Sequence, residues 1–259
     1  MLSRAAGEWG IHSFYICRKG IKRMENSGPE NAHVLDNPIW NALQTGNRGM
    51  AQGSTQAAYF NAAIAPFAGM PQLSEEGWLQ LQAADRPEGD VFILFSTAAI
   101  AVPQPWKVLA QLPLYQMVYA HRQAPQVKQG AAMVSLTAQD VPAMLELTRL
   151  TNPGPFRNHT IDFGHYYGVK HEGQLVAITG RRLRPLPYHE VSAVCTHPDF
   201  LGRGYAAQLI ARQVQLILEE GGIPFLHVKD DNTAAVKLYE KLGFETRTAI
   251  VCTVLALKA

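Results

Sequence analysis

The sequence has few cysteines, and their positions are not those of a metal-binding or redox motif. Cys17, Cys195 and Cys252 are three in number and widely separated. An odd number of isolated cysteines is typical of a reducing compartment with buried, unreactive thiols. We therefore expect no metal site and a cytoplasmic location.

Long apolar runs and a surplus of charge are also missing. The longest apolar runs, residues 91–95 and 249–257, are far shorter than the ~18–20 residues that span a membrane. Lys and Arg total 23 against 21 Asp and Glu, and no basic stretch is interleaved with aromatic residues as a nucleic-acid surface requires. We expect neither a membrane nor nucleic acid as a partner. The one locally basic stretch, GRRLRP at 180–185, is predicted to be a solvated strand end rather than the lining of an anion path.

The sequence does contain enough apolar material for a large core. Of its 259 residues, 47% are hydrophobic and 17% are charged, and this length favours two domains over one. We expect an extension over residues 1–23 with the true start at Met24, an N-terminal α/β subdomain over 24–130 and a C-terminal domain over 131–259. The boundary is predicted in the polar, proline-containing stretch 121–131.

Periodicity, caps and turn residues predict the elements. In the N-terminal half they indicate helices at 35–46, with Asn37 as N-cap, and at 74–85, and strands at 91–96 and 114–120. From residue 131 the predicted order is β, α, loop, β, β, β, α, β, α, β, which is an α/β fold with a sheet of mixed direction. The helix after residue 204 has one apolar stripe and an outward polar face. The stripe comprises Leu209, Ile210, Val214, Ile217 and Leu218, and the polar face includes Arg212, Gln213, Gln215 and Glu219.

Two glycines flank an arginine in LGRGYA, residues 201–206, between a predicted strand and a predicted helix. Backbone N–H groups at such a turn add to the positive end of the helix dipole and can bind a diphosphate. Gly202 and Gly204 lack the Cβ atoms that would block its approach. Taken alone, the pattern is equally typical of a plain tight turn.

Two further motifs accompany this turn, VCTHP at 194–198 and DNTAAVKLYEKLGF at 231–244. Together the three resemble the Gcn5-related N-acetyltransferase (GNAT) superfamily, and more closely its FR47-like branch, over roughly residues 131–259. The resemblance implies a mixed twisted sheet flanked by helices and acetyl-CoA as acyl donor, with no metal. The N-terminal half is expected to complete the acceptor cleft, and its strands and helices, though not its motifs, suit a degenerate second unit of the same fold. Leu201 departs from the pattern, since the family usually has Arg or Gln there.

The resemblance also implies which residues bind acetyl-CoA. The glycine turn and the first helical residues would receive the diphosphate, and the preceding strand would hydrogen-bond the pantetheine arm. Asn232 belongs to the same set, although an Asn before a helix is an N-cap whatever else it binds. The implied cofactor-binding residues are Val194, Cys195, Thr196, Gly202, Arg203, Gly204, Tyr205, Ala206, Ala207 and Asn232.

Acetyl transfer to an amine needs a base for the amine and an acid for the departing thiolate. By resemblance the acid is Tyr239. For the base, Glu190 on the fourth strand of the domain is favoured over His227 on the fifth, and transfer to a water or through the backbone is the third route. Cys195 is not expected to form a covalent intermediate, because no His/Asp pair flanks it in the sequence.

We therefore expect an N-acetyltransferase that moves an acetyl group directly from acetyl-CoA to a primary amine. A small amine or amino acid is the favoured acceptor, with a peptide N-terminus or lysine as the alternative. An oligomer is left open. The competing hypothesis is a non-catalytic acyl-CoA-binding regulatory module, which would keep the glycine turn and lose the acid and base.

Overall fold

The computed structural model describes residues 32–128 and 130–258, so the predicted extension, Met24 and Cys17 lie outside the described residues. In the N-terminal half, the predicted helices and strands form, together with a small three-stranded sheet. Its elements are α1 (Pro38–Gln44), β1 (Ala51–Gly53), β2 (Ala58–Phe60), β3 (Ala68–Gly69), α2 (Glu75–Gln82), β4 (Phe92–Ser96) and β5 (Trp106–Tyr119).

The two N-terminal helices begin differently. Ser74 caps α2 as an N-cap serine should, because its side chain accepts a hydrogen bond from the Gly77 N–H at 3.1 Å. Asn37 is the N-cap residue of α1, as predicted, but its side chain makes no capping hydrogen bond. Its amide donates instead to the Met70 carbonyl at 2.7 Å, and α1 starts on Pro38, whose fixed φ suits a first helical position.

The C-terminal half has the predicted order of elements. A two-residue turn joins its second and third strands, with positive φ at Glu172 and Gly173, as a tight hairpin requires. The elements are β6 (Met133–Ser135), α3 (Val141–Thr151), β7 (Tyr167–His171), β8 (Gln174–Arg181), β9 (Tyr188–Thr196), α4 (Tyr205–Glu219), β10 (Ile223–Lys229), α5 (Thr233–Lys241) and β11 (Phe244–Leu257).

One eight-stranded sheet of mixed direction runs through both halves, in the order β4-β11-β5-β10-β9-β8-β7-β6. Only β9 and β10 pair in parallel. Strand β5, from before the predicted boundary, lies between β10 and β11 and is antiparallel to both. The division near residue 130 is therefore not a boundary of the sheet, and the assignment of two domains stays a prediction.

Strand β5 is longer than the sequence predicts. It starts at Trp106 and continues through Pro113, whereas the proline-rich stretch was expected to be a connection. The pairing with β10 ends at Leu114, so Pro113 lies where β5 has only β11 as a neighbour. A proline is tolerated there because the missing N–H removes no ladder bond on the open side.

The sheet buries a separate apolar cluster on each face. On β10, Phe225 belongs to the cluster under the N-terminal half and α3, whereas the next residue, Leu226, belongs to the cluster under α4 and α5. This follows from the alternation of side chains along a strand. The N-terminal half thus covers one face, and α4 and α5 cover the other.

Three polar predictions are wrong for one reason. Gln213 and Arg181 are fully buried, and the side chain of Arg182 is 12% exposed. Arg181 donates through Nε to Gln213 Oε1 at 3.1 Å and through Nη1 to Glu220 at 2.6 Å. Buried donors need hydrogen-bond partners, and the partners of these side chains are distant in the sequence. The local sequence therefore predicts them to be exposed to solvent.

The place of β5 in the sheet makes a testable prediction. A chain of residues 131–259 leaves the facing edges of β10 and β11 unpaired and exposes their apolar residues. We expect it to aggregate or to lack a cooperative thermal transition, while the full chain melts cooperatively. A monomeric 131–259 chain with a cooperative melt would instead support two independent domains.

Candidate functional site

The site lies where the two parallel strands part. β9 and β10 are paired only from Tyr188 to Glu190, opposite Ile223 to Phe225. Beyond that point β9 continues as far as Thr196 with no partner on its β10 side. An unpaired strand edge inside a sheet presents free backbone donors and acceptors, and an extended ligand can bind to it as a strand would.

A β-bulge shapes this free edge. Between Ile178 and Gly180 of β8 the pairing with β9 moves from Cys195 to Ser192, so β9 has one residue more than its neighbour. Ala193, inside the bulge, has a φ of 52°, which is unusual for a residue with a side chain. The bulge redirects the segment 194–196. Thr196 also has a buried hydroxyl oxygen without a hydrogen-bond partner in the described part of the chain.

The glycine turn follows this strand and leads into α4. Gly202 and Gly204 have φ of 76° and 80°, and Gly204 is the N-cap residue of the helix. A Cβ built on Gly202 would meet nothing within 4 Å, so the approach to the backbone is open. The first N–H groups of a helix have no intrahelical partner and lie at the positive end of its dipole. Leu201, the departure from the family pattern, is 65% exposed.

A cleft of about 1130 Å³ opens between this turn and the end of α5. Gly202, Arg203, Gly204 and Ala207 line one side of it. The opposite side is formed by the last turn of α5 and by the stretch after β5, which the sequence had marked only as a linker. The lining residues on that side are Tyr119, residues 121–128, Gly130, Leu238, Glu240, Lys241, Leu242 and Gly243.

Tyr239 lies on α5 and Asn232 is the N-cap residue before it, and neither is among the residues that line the cleft. Tyr239 is 8% exposed and packs in the cluster shared by α4, α5 and the sheet, with its ring centroid 6.0 Å from that of Phe244. Burial, with a smaller effect of the Cys195 thiol, raises the pKa of Tyr239 to about 12. Asn232 is exposed and caps α5 by accepting from the Ala235 N–H at 3.2 Å, and it is not among the residues that line the cleft.

Cys195 and Cys252 are buried free thiols. Burial raises the pKa of Cys195 to about 11, so the thiol stays protonated near neutral pH. Only the thiolate is a good nucleophile. This environment agrees with the expectation that Cys195 does not attack an acyl group.

Glu190 occupies the last position at which β9 pairs with β10, and its side chain is fully buried on the face covered by the N-terminal half. The guanidinium of Arg182 donates two hydrogen bonds to this carboxylate, from Nε at 2.8 Å and from Nη2 at 2.6 Å. The Leu183 N–H donates a third at 3.2 Å. Burial alone would raise the pKa of Glu190, but the charge and hydrogen bonds of Arg182, assisted by His227, lower it to about 2.

His227 lies beside Glu190 across the strand fork. Its Nδ1 is 2.7 Å from Glu190 Oε1, and its Nε2 is 3.0 Å from the amide nitrogen of Gln116 on β5. Since that amide nitrogen can only donate, Nε2 accepts and Nδ1 carries the proton. Burial lowers the pKa of His227 below its ordinary value, and its side chain is 2% exposed.

The same network extends to the described N-terminal segment. Arg247, the extra residue at a bulge in β11, donates through Nε to Gln116 Oε1 at 2.6 Å and also pairs with Asp36. Gln116 also donates to the Leu35 carbonyl at 2.9 Å. The sequence analysis marks Arg182 only as part of a solvated strand end and does not mark Gln116 or Arg247 at all, because no local pattern identifies a polar residue whose partners lie on other strands.

The environments of Glu190 and His227 are therefore unfavourable for a general base, which must accept a proton readily. A carboxylate with a pKa of about 2 holds a proton weakly, and both ring nitrogens of His227 are engaged within the protein. The structure brings Glu190 and His227 together at the fork. It separates them, by the thickness of the sheet, from the face that carries the cleft, and their catalytic roles stay predictions.

The described residues contain no helix that could cross a membrane and no group of three residues arranged to hold a metal ion. Comparison with known proteins then supports the motif-based resemblance. The model of the FR47-like protein family matches residues 166–252. The solved structure of an acetyltransferase of the GNAT family from Novosphingobium aromaticivorans is 33% identical in sequence to this chain. The match covers 88% of this chain and 100% of that protein, with a TM-score of 0.81. The chain therefore belongs to the GNAT superfamily of acetyltransferases, in its FR47-like branch.

Curated relatives match a shorter region. The N-alpha-acetyltransferase RimI of Mycobacterium tuberculosis is 34% identical over 84 residues, which are 31% of this chain and 52% of that protein. The acetyltransferase YE1169 of Yersinia enterocolitica is 39% identical over 79 residues, 29% of this chain and 55% of that protein. The chain thus spans about half the length of these relatives. A GNAT protein from Kribbella flavida, 15% identical with a TM-score of 0.58, shares the fold.

The burial of Glu190 predicts the effect of Glu190→Gln. Removing the carboxylate leaves Arg182 without a counter-charge, and breaking a buried pair in this way costs about 3–5 kcal/mol. The folded pKa of about 2 lies below the ordinary 4.5, so the stabilisation by Glu190 is full above pH 4.5 and is lost as the pH falls towards 2. Denaturant unfolding should show a difference between wild type and variant that is large at pH 7 and shrinks below pH 4.5.

Glu146→Gln is the matched control, since Glu146 is exposed on α3 and its removal should change stability by less than about 0.5 kcal/mol. A Glu190→Gln protein as stable as wild type at pH 7 would show that the ion pair does not hold the fork.

Proposed function

We propose that this protein is an acetyl-CoA-dependent N-acyltransferase that transfers an acetyl group directly to a primary amine. One observation carries the proposal. The free edge of β9 leads along the chain into the glycine turn, and Gly202, Arg203 and Gly204 of that turn line a cleft large enough for an extended ligand. Acetyl-CoA combines an extended arm with a diphosphate, the two groups that such a surface recognises.

The residues present fit this donor. A Cβ on Gly202 would meet nothing within 4 Å, and one on Gly204 would meet only Gln208 Nε2 at 3.9 Å, so the N–H groups from Gly202 to Ala207 would be available to the diphosphate, together with Arg203. Val194 to Thr196 would hydrogen-bond the arm, and Thr196 has an unpartnered hydroxyl. When bound, acetyl-CoA supplies an activated acetyl group, whose C–S bond breaks as the C–N bond to the amine forms.

Tyr239 is the proposed acid. With its pKa raised to about 12, its hydroxyl is protonated at neutral pH, as a proton donor must be. No hydrogen bond occupies that hydroxyl within the described residues, so it is free to donate to the sulfur that leaves. Its ring is fixed by packing against Phe244, which limits the positions of the hydroxyl.

For the amine proton we propose transfer to water, the third of the routes that the sequence leaves open. Glu190 and His227 then act as positioning residues, because their hydrogen bond spans β9 and β10 at the point where the strands part. The open cleft gives solvent access to the donor side. An alkylamine loses its proton to water without a protein base when the fraction of free amine suffices, so the rate should rise with pH.

The engagement of both candidate bases favours one other function, that of an acyl-CoA-binding regulatory module. Acetyl-CoA consumption with a panel of amines, amino acids and peptides with free N-termini separates the two, with mass spectrometry of the product. The peptides are included because one relative is named an N-alpha-acetyltransferase. CoA binding without turnover on any acceptor would support the module.

We further propose a reducing, cytoplasmic compartment, in keeping with the two buried free thiols of the described residues.

The glycine turn predicts that Gly204→Val loses measurable CoA binding in calorimetry. Gly204 has a φ of 80°, and a β-branched residue would shift the backbone out of this conformation, which costs roughly 1–2 kcal/mol and moves the N–H groups. Gly89→Val is the control, because Gly89 has a φ of 75°, lies in an exposed loop and does not line the cleft. Equal CoA affinity in the folded Gly204→Val protein would return the turn to a purely structural role.

The assignment of the acid predicts the kinetics of Tyr239→Phe. The change removes one oxygen and keeps the ring, so kcat should fall ~10-fold or more while CoA affinity and stability change little. Tyr59→Phe, a buried tyrosine remote from the cleft, should leave kcat unchanged. Normal turnover with a loss of about 0.5–1.5 kcal/mol in stability would mark Tyr239 as structural.

A further inference from the structure

The stretch after β5, residues 121–128, forms a wall of the cleft and is held in place at its beginning. We call these residues the connector. The Tyr119 hydroxyl donates to the Gln123 carbonyl at 2.6 Å. The ring of His121 packs edge-on against Tyr119 at 5.6 Å and lies so close to Gly243 that a Cβ there would be 2.5 Å from it. The glycine of the LGF motif therefore leaves room for the connector.

The chain just after the connector is tied directly to the glycine turn. Gln208, on the first turns of α4, is 3% exposed, and its Oε1 accepts hydrogen bonds from the N–H groups of Gly130 and Ala131 at 3.0 Å and 3.2 Å. Its amide nitrogen donates to the Gly204 carbonyl at 3.5 Å. One buried side chain thus couples the cleft's two walls.

Positive charge is concentrated around this cleft. Arg122 and Lys128 of the connector, Arg203 of the glycine turn and Lys241 at the end of α5 all line it, against the single carboxylate of Glu240. The whole chain has a net charge of only +2. The guanidinium of Arg203 stacks on the ring of Phe200, with its Cζ atom 4.6 Å from the ring centroid, and this contact holds the side chain beside the turn. The other three cations have no ion-pair partner among the described residues.

The glycine turn can neutralise a diphosphate with its N–H groups and the helix dipole. The donor proposed above carries a further phosphate, at the 3′ position of its adenosine, and a phosphate monoester has about −1.5 to −2 charges at pH 7. In the proposed complex the backbone groups of the turn bind the diphosphate. Among the described residues, the Arg and Lys side chains that line the cleft then remain for the further phosphate, and three of them lie across from the turn.

We propose that Arg122, Lys128 and Lys241 bind the 3′-phosphate of CoA, so that the protein discriminates CoA from dephospho-CoA. This inference rests on the proposed donor. It gives the N-terminal half a direct part in cofactor recognition, since the connector supplies two of the three cations. Gln208 is the positioning residue. It holds the connector at a distance from the glycine turn that lets the turn bind the diphosphate while the connector binds the 3′-phosphate.

Isothermal titration of the full chain with CoA and with dephospho-CoA tests the proposal. Charge-assisted hydrogen bonds predict that wild type binds CoA at least ~10-fold more tightly than dephospho-CoA. Arg122→Gln and Lys241→Gln should each weaken CoA binding by ~3- to 10-fold and leave dephospho-CoA binding unchanged. Gln208→Leu displaces the connector as a whole and should weaken both ligands. Lys237→Gln, on α5 but outside the cleft lining, is the matched control and should change neither.

The possible failures are distinct. Binding of neither ligand by wild type would overturn the donor site together with this inference. Equal affinities for the two ligands would overturn the 3′-phosphate assignment and leave the proposed function intact. Equal weakening of both ligands by Arg122→Gln and Lys241→Gln would assign these cations to the diphosphate and likewise refute the assignment.

Discussion

The buried carboxylate of Glu190 is the constraint around which the sheet is arranged. A charge without solvent needs compensation, and Arg182 and His227 provide it from two different neighbouring segments. The ladder between β9 and β10 ends at Glu190 and Phe225, and His227 stands two residues past that end of β10. The hydrogen bond between Glu190 and His227 therefore bridges the two strands where their shared ladder stops. The strands are thus joined by side chains at the start of the fork, and the edge beyond it stays open.

This arrangement depends on the N-terminal half. Strand β5 fills the place between β10 and β11 and brings Gln116 against His227, and Asp36 meets Arg247 at the bulge of β11. The aromatic rings of Phe67 and Phe95 cover Arg182 and His227 and exclude water from the ion pair. The N-terminal half is therefore part of the same sheet and the same buried network, and through the connector it also borders the cleft.

The two faces of the sheet have different tasks. On the face of α4 and α5, glycines, free N–H groups and exposed cations surround an open cleft suited to an anionic donor. On the other face, the charged residues are buried and paired. A carboxylate that must stay ionised to hold the fork cannot also take a proton readily, since both demands act on the same pKa in opposite directions. Structure and catalysis thus make competing requirements at Glu190, and the structural one dominates in this environment.

Much of the fold could be read from local sequence. The apolar stripe marks the helix that is α4, and the three motifs identify the family, because each signal lies within a few neighbouring residues. The insertion of β5 between β10 and β11 and the burial of Arg181 and Gln213 could not be read in this way. The residue type sets the charge and hydrogen-bonding capacity of a side chain. Whether that side chain is solvated or ion-paired depends on partners that are distant in the sequence, such as Asp36, which pairs with Arg247 from 211 positions away. The sequence by itself determined most of the elements and the glycine turn, whereas only the tertiary structure decided that Glu190 is a buried ion-paired carboxylate, because pKa and burial arise from groups that the fold brings together.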